Sequence, residues 1–190
     1  MIKALQELTH EGYLVRYQGK GTYISKGKKA KVVRFSEQEK FQDMQESVRV
    51  LSVEKMTDPR IAKELRVNEQ EPFYLIKRVR MIENTPLLVQ YSYVLSEFII
   101  EENTADLDAF SSIYEKIKED FQINLFQADS EEVIEICFPT PSEESILLGI
   151  GDNEPTAFIR RHTYLLEKRV VEYIETYKRW EYFSNKIEPL

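Results

Sequence analysis

The chain has 190 residues, 26 lysines and arginines against 33 aspartates and glutamates, and a formal net charge of −7. That length suits one full domain plus a smaller segment, with a core large enough to need neither disulfides nor metal. One cysteine excludes an intrachain disulfide and fits a reducing compartment. No run approaches the roughly 18 apolar residues of a membrane span, and the N-terminus lacks the basic-then-apolar pattern of a signal peptide. The expectation is a soluble, cytoplasmic protein with no membrane partner.

At the N-terminus, Ala4, Leu5, Leu8 and Thr9 recur at helical spacing, and Gly12 stands where a helix ends in a left-handed residue. Two β-rich runs follow, Tyr13 to Tyr17 and Thr22 to Ile24, joined by Gln18-Gly19-Lys20-Gly21, whose glycines suit a tight reversal. Residues 1–31 hold seven basic side chains against two acidic ones, a balance of +5, whereas the remainder holds 19 against 31. Only this first segment suits a phosphate backbone. The run from Lys26 to Lys31 reads equally well as a solvated linker. A basic helix leading into a small cationic hairpin is the end of a winged helix-turn-helix. KALQEL, EGYL and QGKGTYI, in that order, resemble the end of the winged-helix domain of the GntR superfamily of bacterial transcriptional regulators. The resemblance implies that residues 1–25 are the C-terminal half of a DNA-binding domain, with Met1 inside the recognition helix. Lys3, Arg16 and Lys20 are then the candidates for phosphate contact, and residues 26–34 are the linker. A chain starting inside that helix is expected to bind DNA weakly and without sequence preference.

Phe35 to Glu46 is polar and reads as a loop or weak helix, and Val48 to Glu54 alternates as a strand. The strongest organisational signal comes next. Leu65-x-Val67-x-x-x-Glu71-Pro72-x-x-x-Ile76-Lys77-Arg78 recurs as Leu148-x-Ile150-x-x-x-Glu154-Pro155-x-x-x-Ile159-Arg160-Arg161, an offset of 83 residues. Each copy predicts a short helix (Pro59 to Leu65; Ser142 to Leu148), a strand, a turn and a second strand (Leu87 to Val94; Val170 to Tyr177). Two such hairpins cannot each bury a face alone, so they should share one antiparallel sheet with approximate two-fold symmetry. Between the copies, Ser112-x-x-Glu115 is a capping box that opens a helix from Ile113 to Phe121, and a strand from Leu125 to Phe138 follows. Cys137, between Ile136 and Phe138, is expected to be a small buried residue. The predicted fold class is α+β, a mostly antiparallel sheet of five to seven strands with packed helices.

In the strand Phe73 to Ile82, Arg78 and Arg80 lie two residues apart and so share a sheet face with Ile76 and Ile82. Two guanidiniums there need an anion, either a ligand or a cross-strand acid such as Glu172 or Glu175. FSEQ (Phe35 to Gln38), the run from Arg78 to Tyr93, SSIYEKI (Ser111 to Ile117) and the run from Arg160 to Tyr173 together resemble the UTRA domain. This is the effector-binding module of the HutC-like branch of GntR regulators, with a fold similar to chorismate lyase, and the resemblance assigns residues 35–190 to it. It implies that Arg78, Arg80 and Ser112 line the anionic end of a sugar-phosphate pocket with Ser36 nearby. Glu172 and Tyr177 are matched to the sugar-hydroxyl end. Guanidiniums beside a hydroxyl at a helix N-terminus suit phosphate. Two positions depart from the family pattern: Gln90 stands where a glutamate is usual, and Leu95 where a proline is usual. An amide donates as well as accepts, so Gln90 alters the polar pattern offered to the ligand.

Two other classes stay open beside the regulator: a lyase-like enzyme on the same fold and a ligand-free dimerisation module. Against an enzyme, the chain has only His10 and His162, and it carries no HExxH, GxSxG or phosphate-loop motif. No cofactor and no metal site are expected. The reading is a bacterial DNA-binding regulator, a repressor in sense, homodimeric through a sheet edge or hairpin strand. Its partners are operator DNA and a small anionic effector, a sugar phosphate above all.

Overall fold

The computed structural model describes residue 5 and residues 14–17, 21–24, 32–35, 45–165 and 168–188. Contacts divide the chain into two units, Met1–Ser36 with Ser184–Leu190, and Glu37–Phe183. In the first unit, β1 (Leu14–Tyr17) pairs antiparallel with β2 (Gly21–Ile24), the expected basic hairpin. The same unit holds β3 (Val32–Phe35), where a linker was expected to run to residue 34. Its antiparallel partner is β10 (Asn185–Glu188), from the far end of the chain. The rest of the expected N-terminal helix, apart from exposed Leu5, lies outside the described residues.

The second unit is α+β. Its elements run β4 (Glu46–Met56), α1 (Pro59–Leu65), β5 (Phe73–Ile82), β6 (Thr85–Leu95), α2 (Ile113–Phe121), β7 (Asp129–Cys137), α3 (Ser142–Leu148), β8 (Thr156–Tyr164) and β9 (Val170–Arg179). The six strands form one antiparallel sheet in the order β4-β5-β6-β9-β8-β7. The two repeats therefore meet in the middle, β6 against β9, and each contributes a hairpin that the other half covers. Helix α1 of the first repeat packs on β9 of the second, and α3 of the second packs on β6 of the first. This exchange of helices is the physical reason neither repeat is sufficient alone.

Local chemistry explains the boundaries. Asp58 caps α1 by accepting from the Ile61 amide at 3.0 Å, Pro59 occupies the first helical turn, and Arg66 closes it in the left-handed region at φ 58°. Ser112 caps α2 by accepting from the Glu115 amide at 3.4 Å, as the capping box predicts. One expected element differs. Leu125 to Phe138 is not one strand: Asn124 accepts from the Phe126 amide at 3.1 Å and winds Leu125–Gln127 into a 3₁₀ turn that buries Leu125, so the strand starts only at Asp129. The main core gathers around Ile61, Leu65, Phe73, Tyr93 and Tyr173 beneath α1, and around Ile76, Val94, Ile113 and Ile117 beneath α2. Among the described residues no helix is long and apolar enough to cross a membrane.

Cys137 departs from expectation as well. It is only partly buried, because β7 is the outer strand of the sheet, with no strand on its far side among the described residues. Val133, Ile134, Ile136 and Phe138 on and beside that edge are exposed, Ile136 at 70%.

Candidate functional site

Strand register settles which side chains share a face. Opposite Arg78 on β6 stands Gln90, opposite Gln90 on β9 stands Thr176, and opposite Thr176 on β8 stands Ile159. By alternation along each strand, Arg80, Ser92, Ile174, Glu172, Thr163 and Arg161 lie on this same face. Helix α2 covers part of it: the Tyr114 hydroxyl and the Thr163 hydroxyl are 2.9 Å apart, and Ser111 just before the helix touches Arg78.

Arg78 is buried, 8% exposed, yet no carboxylate is among its hydrogen-bond partners. Its guanidinium donates to the Ser111 carbonyl at 3.1 Å, to Gln90 Oε1 at 3.2 Å and to Ser92 Oγ at 3.3 Å, and its buried Nε has no partner. Burial pulls its pKa below the ordinary arginine value, Glu172 opposes that shift and Arg80 adds to it. A guanidinium held by neutral acceptors alone keeps its charge available to a ligand. Gln90 forms part of the wall of the site, where its amide also donates to Thr176 Oγ1 at 3.4 Å. Arg80, half-exposed, is ion-paired with Glu46 on β4. Such a pair at the surface contributes little and opens readily. Ser112 sits at the start of α2, next to the Ser111 carbonyl that holds Arg78.

Glu172 is wholly buried on the same face, with Thr163 donating to Oε2 at 3.5 Å and Oε1 without a partner. Burial pushes its pKa above the usual carboxylate range, against the opposing pull of the Arg78 charge, the Tyr114 hydroxyl and the Arg161 charge. Arg161 is a member of this face that residue patterns alone did not single out. The repeat offset that places it as the counterpart of Arg78 was the available signal.

Not every expected residue joins the group. Tyr177 lies five positions beyond Glu172 and projects from the opposite face, against Phe158 at 4.7 Å and Tyr91 at 6.3 Å between ring centroids. Glu175, one of the two acids weighed as a partner for the arginines, is on that opposite face too, bound by Arg60 at 2.5 Å and by the hydroxyls of Tyr93 and Tyr173. The other, Glu172, is the acid near Arg78. Ser36, Lys3 and Lys20 lie outside the described residues, as does the side chain of Arg16, whose backbone belongs to β1. His162 projects away from Arg161, contacts Glu64 at 3.0 Å and packs on Tyr173. Among the described residues no cluster of three or more His, Cys, Asp or Glu has the geometry to hold a metal ion.

A family model described as the UTRA domain matches residues 42–184, which takes in all six strands of the large sheet and the three helices. The HTH-type transcriptional repressor NagR of Bacillus subtilis (strain 168) is 28% identical over 187 residues, 96% of this chain and 75% of that protein. The HTH-type transcriptional regulator TreR of the same organism is 23% identical over 188 residues, 95% of this chain and 76% of its own length. Among solved structures, the possible transcriptional regulator YydK from Bacillus subtilis superposes with a TM-score of 0.68 at 21% identity, over 98% of this chain and 80% of its own.

Proposed function

The chain belongs to the UTRA domain family, and on that premise we propose that it is a bacterial transcriptional regulator, acting as a repressor, whose larger unit binds a small anionic metabolite. In this reading residues 1–25 are the DNA-contacting segment, 26–34 the linker and 35–190 the effector domain. Two relatives named as a repressor and a regulator support the class. The observation that carries the effector chemistry is Arg78, a buried guanidinium whose hydrogen-bond partners are all neutral, beside the capped start of α2. Free amides at a helix start and a charge left without a carboxylate together favour a phosphate. A sugar phosphate is the proposed effector, with Arg78, Arg80 and Ser112 at its phosphate, Gln90 and Glu172 toward its hydroxyls, and Ser36 as a further candidate; Tyr177, on the opposite face, is not part of this site.

The protein works in the cytoplasm as a homodimer without cofactor or catalytic step. Lys3, Arg16 and Lys20 contact operator phosphates. Effector binding in each subunit biases the orientation of the two DNA-contacting segments and so the affinity for a palindromic operator.

The test is a thermal-shift comparison of sugar phosphates with their unphosphorylated parents. A ligand present at 100 times its Kd adds about 2.7 kcal/mol to stability, and only the phosphorylated set is expected to shift the melting temperature. Arg80→Ala is expected to remove that selective shift while the unliganded protein melts as before, since Arg80 is half-exposed. Equal shifts from both sets contradict the phosphate assignment.

A further inference from the structure

The internal repeat carries Ile76-Lys77-Arg78 onto Ile159-Arg160-Arg161, so Arg161 is the counterpart of Arg78 on the other side of the pseudo-two-fold. Register keeps the two on one face of the sheet, three strands apart, with Gln90, Thr176, Ile174 and Ile159 as the floor between them. Arg161 differs from Arg78 in having a carboxylate beside it, but the ion pair to Glu132 is long. One of its Nη atoms donates to Ser130 Oγ at 3.3 Å, the other stands 3.7 Å from Glu132, and its buried Nε has no partner. Its side chain is 34% exposed, so it is reachable from solvent. Between the two guanidiniums lies Glu172, wholly buried, with one carboxyl oxygen unpartnered. Strand β9, which carries Glu172, runs between β5 with Arg78 and β8 with Arg161, so the acid and both guanidiniums share one sheet face.

The floor therefore reads cation, hydrogen-bonding acid, cation. A simple sugar phosphate answers only the Arg78 end and leaves Arg161 facing a hydroxyl. Two ends that each favour an anion, separated by a carboxyl group suited to hydroxyl contacts, match a different outline. We propose that Arg161 is a second anion-recognising residue of the site, and that the effector is acidic at both ends with hydroxyls between, as in a phosphorylated sugar acid. This rests on the anionic-effector reading above and narrows its chemical class.

Calorimetric titration of the whole chain with glucose 6-phosphate and with 6-phosphogluconate separates the two levels of the claim. The second probe adds a carboxylate at the end remote from the phosphate. It is expected to bind at least about tenfold more tightly, the scale of one charge-assisted hydrogen bond. In Arg161→Gln that advantage is expected to vanish, the affinity for 6-phosphogluconate falling to about that for glucose 6-phosphate, and Arg161→Lys is expected to restore part of it. Equal affinity of the wild-type protein for both probes overturns the proposal, as does a preference for 6-phosphogluconate that survives Arg161→Gln. Binding of neither probe counts against the anionic-effector reading itself, and this inference falls with it. An unchanged melting temperature of the unliganded Arg161 variants separates lost recognition from lost folding.

Discussion

At the scale of single residues, the least comfortable group in the protein is Glu172, an acid with no exposure and one unpartnered oxygen. Its carboxyl is pushed above the usual range by burial. The native state therefore holds a proton there more tightly than the unfolded chain does. Where the folded pKa of an acid is raised, stability is fully present below the unfolded value and is lost as pH rises through the folded one. Glu172→Gln removes the titration while keeping size and polarity. Urea denaturation between about pH 5 and pH 8 is expected to show the wild-type protein losing more stability than Glu172→Gln as pH rises. Parallel pH profiles for the two contradict this account of the site. The same residue shows how parity along a strand outranks analogy. Glu172 and Tyr177 are five positions apart, an odd number, and so occupy opposite faces whatever a related pocket suggests.

At the scale of elements, the hairpins, both short helices and α2 were legible in the chain because each carries its own punctuation: Asp58 and Pro59 before α1, the Ser112 capping box before α2, prolines at the starts of the repeat strands. The boundaries of α1, α2, α3 and β5 coincide with those read from the residues. What alternation does not reveal is position within a sheet. Strand β7 carries Val133 on one face and Ile134 and Ile136 on the other, as a strand buried on both faces would, yet it is an edge, and Ile134, Ile136 and Cys137 are more open than their types suggest. Its acids are already engaged by the neighbouring strand, Glu135 with Arg160 at 2.5 Å, Glu131 with the Tyr164 hydroxyl at 3.2 Å and Glu132 loosely with Arg161. The aliphatic side chains and one row of main-chain groups remain for a partner, a combination that soluble proteins seldom leave bare. The proposed homodimer is accordingly expected to use this edge, and Ile136→Lys is the variant that probes it. Sedimentation at micromolar concentration is expected to give about twice the 22.5 kDa chain mass for the wild type and the single chain mass for Ile136→Lys. A wild-type monomer, or a variant that still dimerises, contradicts that placement.

At the scale of the whole molecule, an exchange of helices between two repeats builds the sheet, and the face beneath α2 carries the polar site. The offset of 83 residues makes that architecture legible in the sequence, because a repeat that cannot close its own core must share one. The site was legible only in part. Arg78 and Arg80 were visible as a cationic pair on one face, but the neutral shell around Arg78 depends on Ser92 and the Ser111 carbonyl, 14 and 33 residues away, contacts that follow from register and loop path. Arg161 entered for the same reason, through three successive strand pairings rather than any local motif. The most direct test of the central claim is a crystal structure of the chain with a phosphorylated sugar bound. The phosphate is expected within hydrogen-bond distance of the Arg78 and Arg80 guanidiniums and of the start of α2 at Ser112. A ligand seated instead on the opposite face of the sheet, beside Tyr177 and Tyr91, contradicts it.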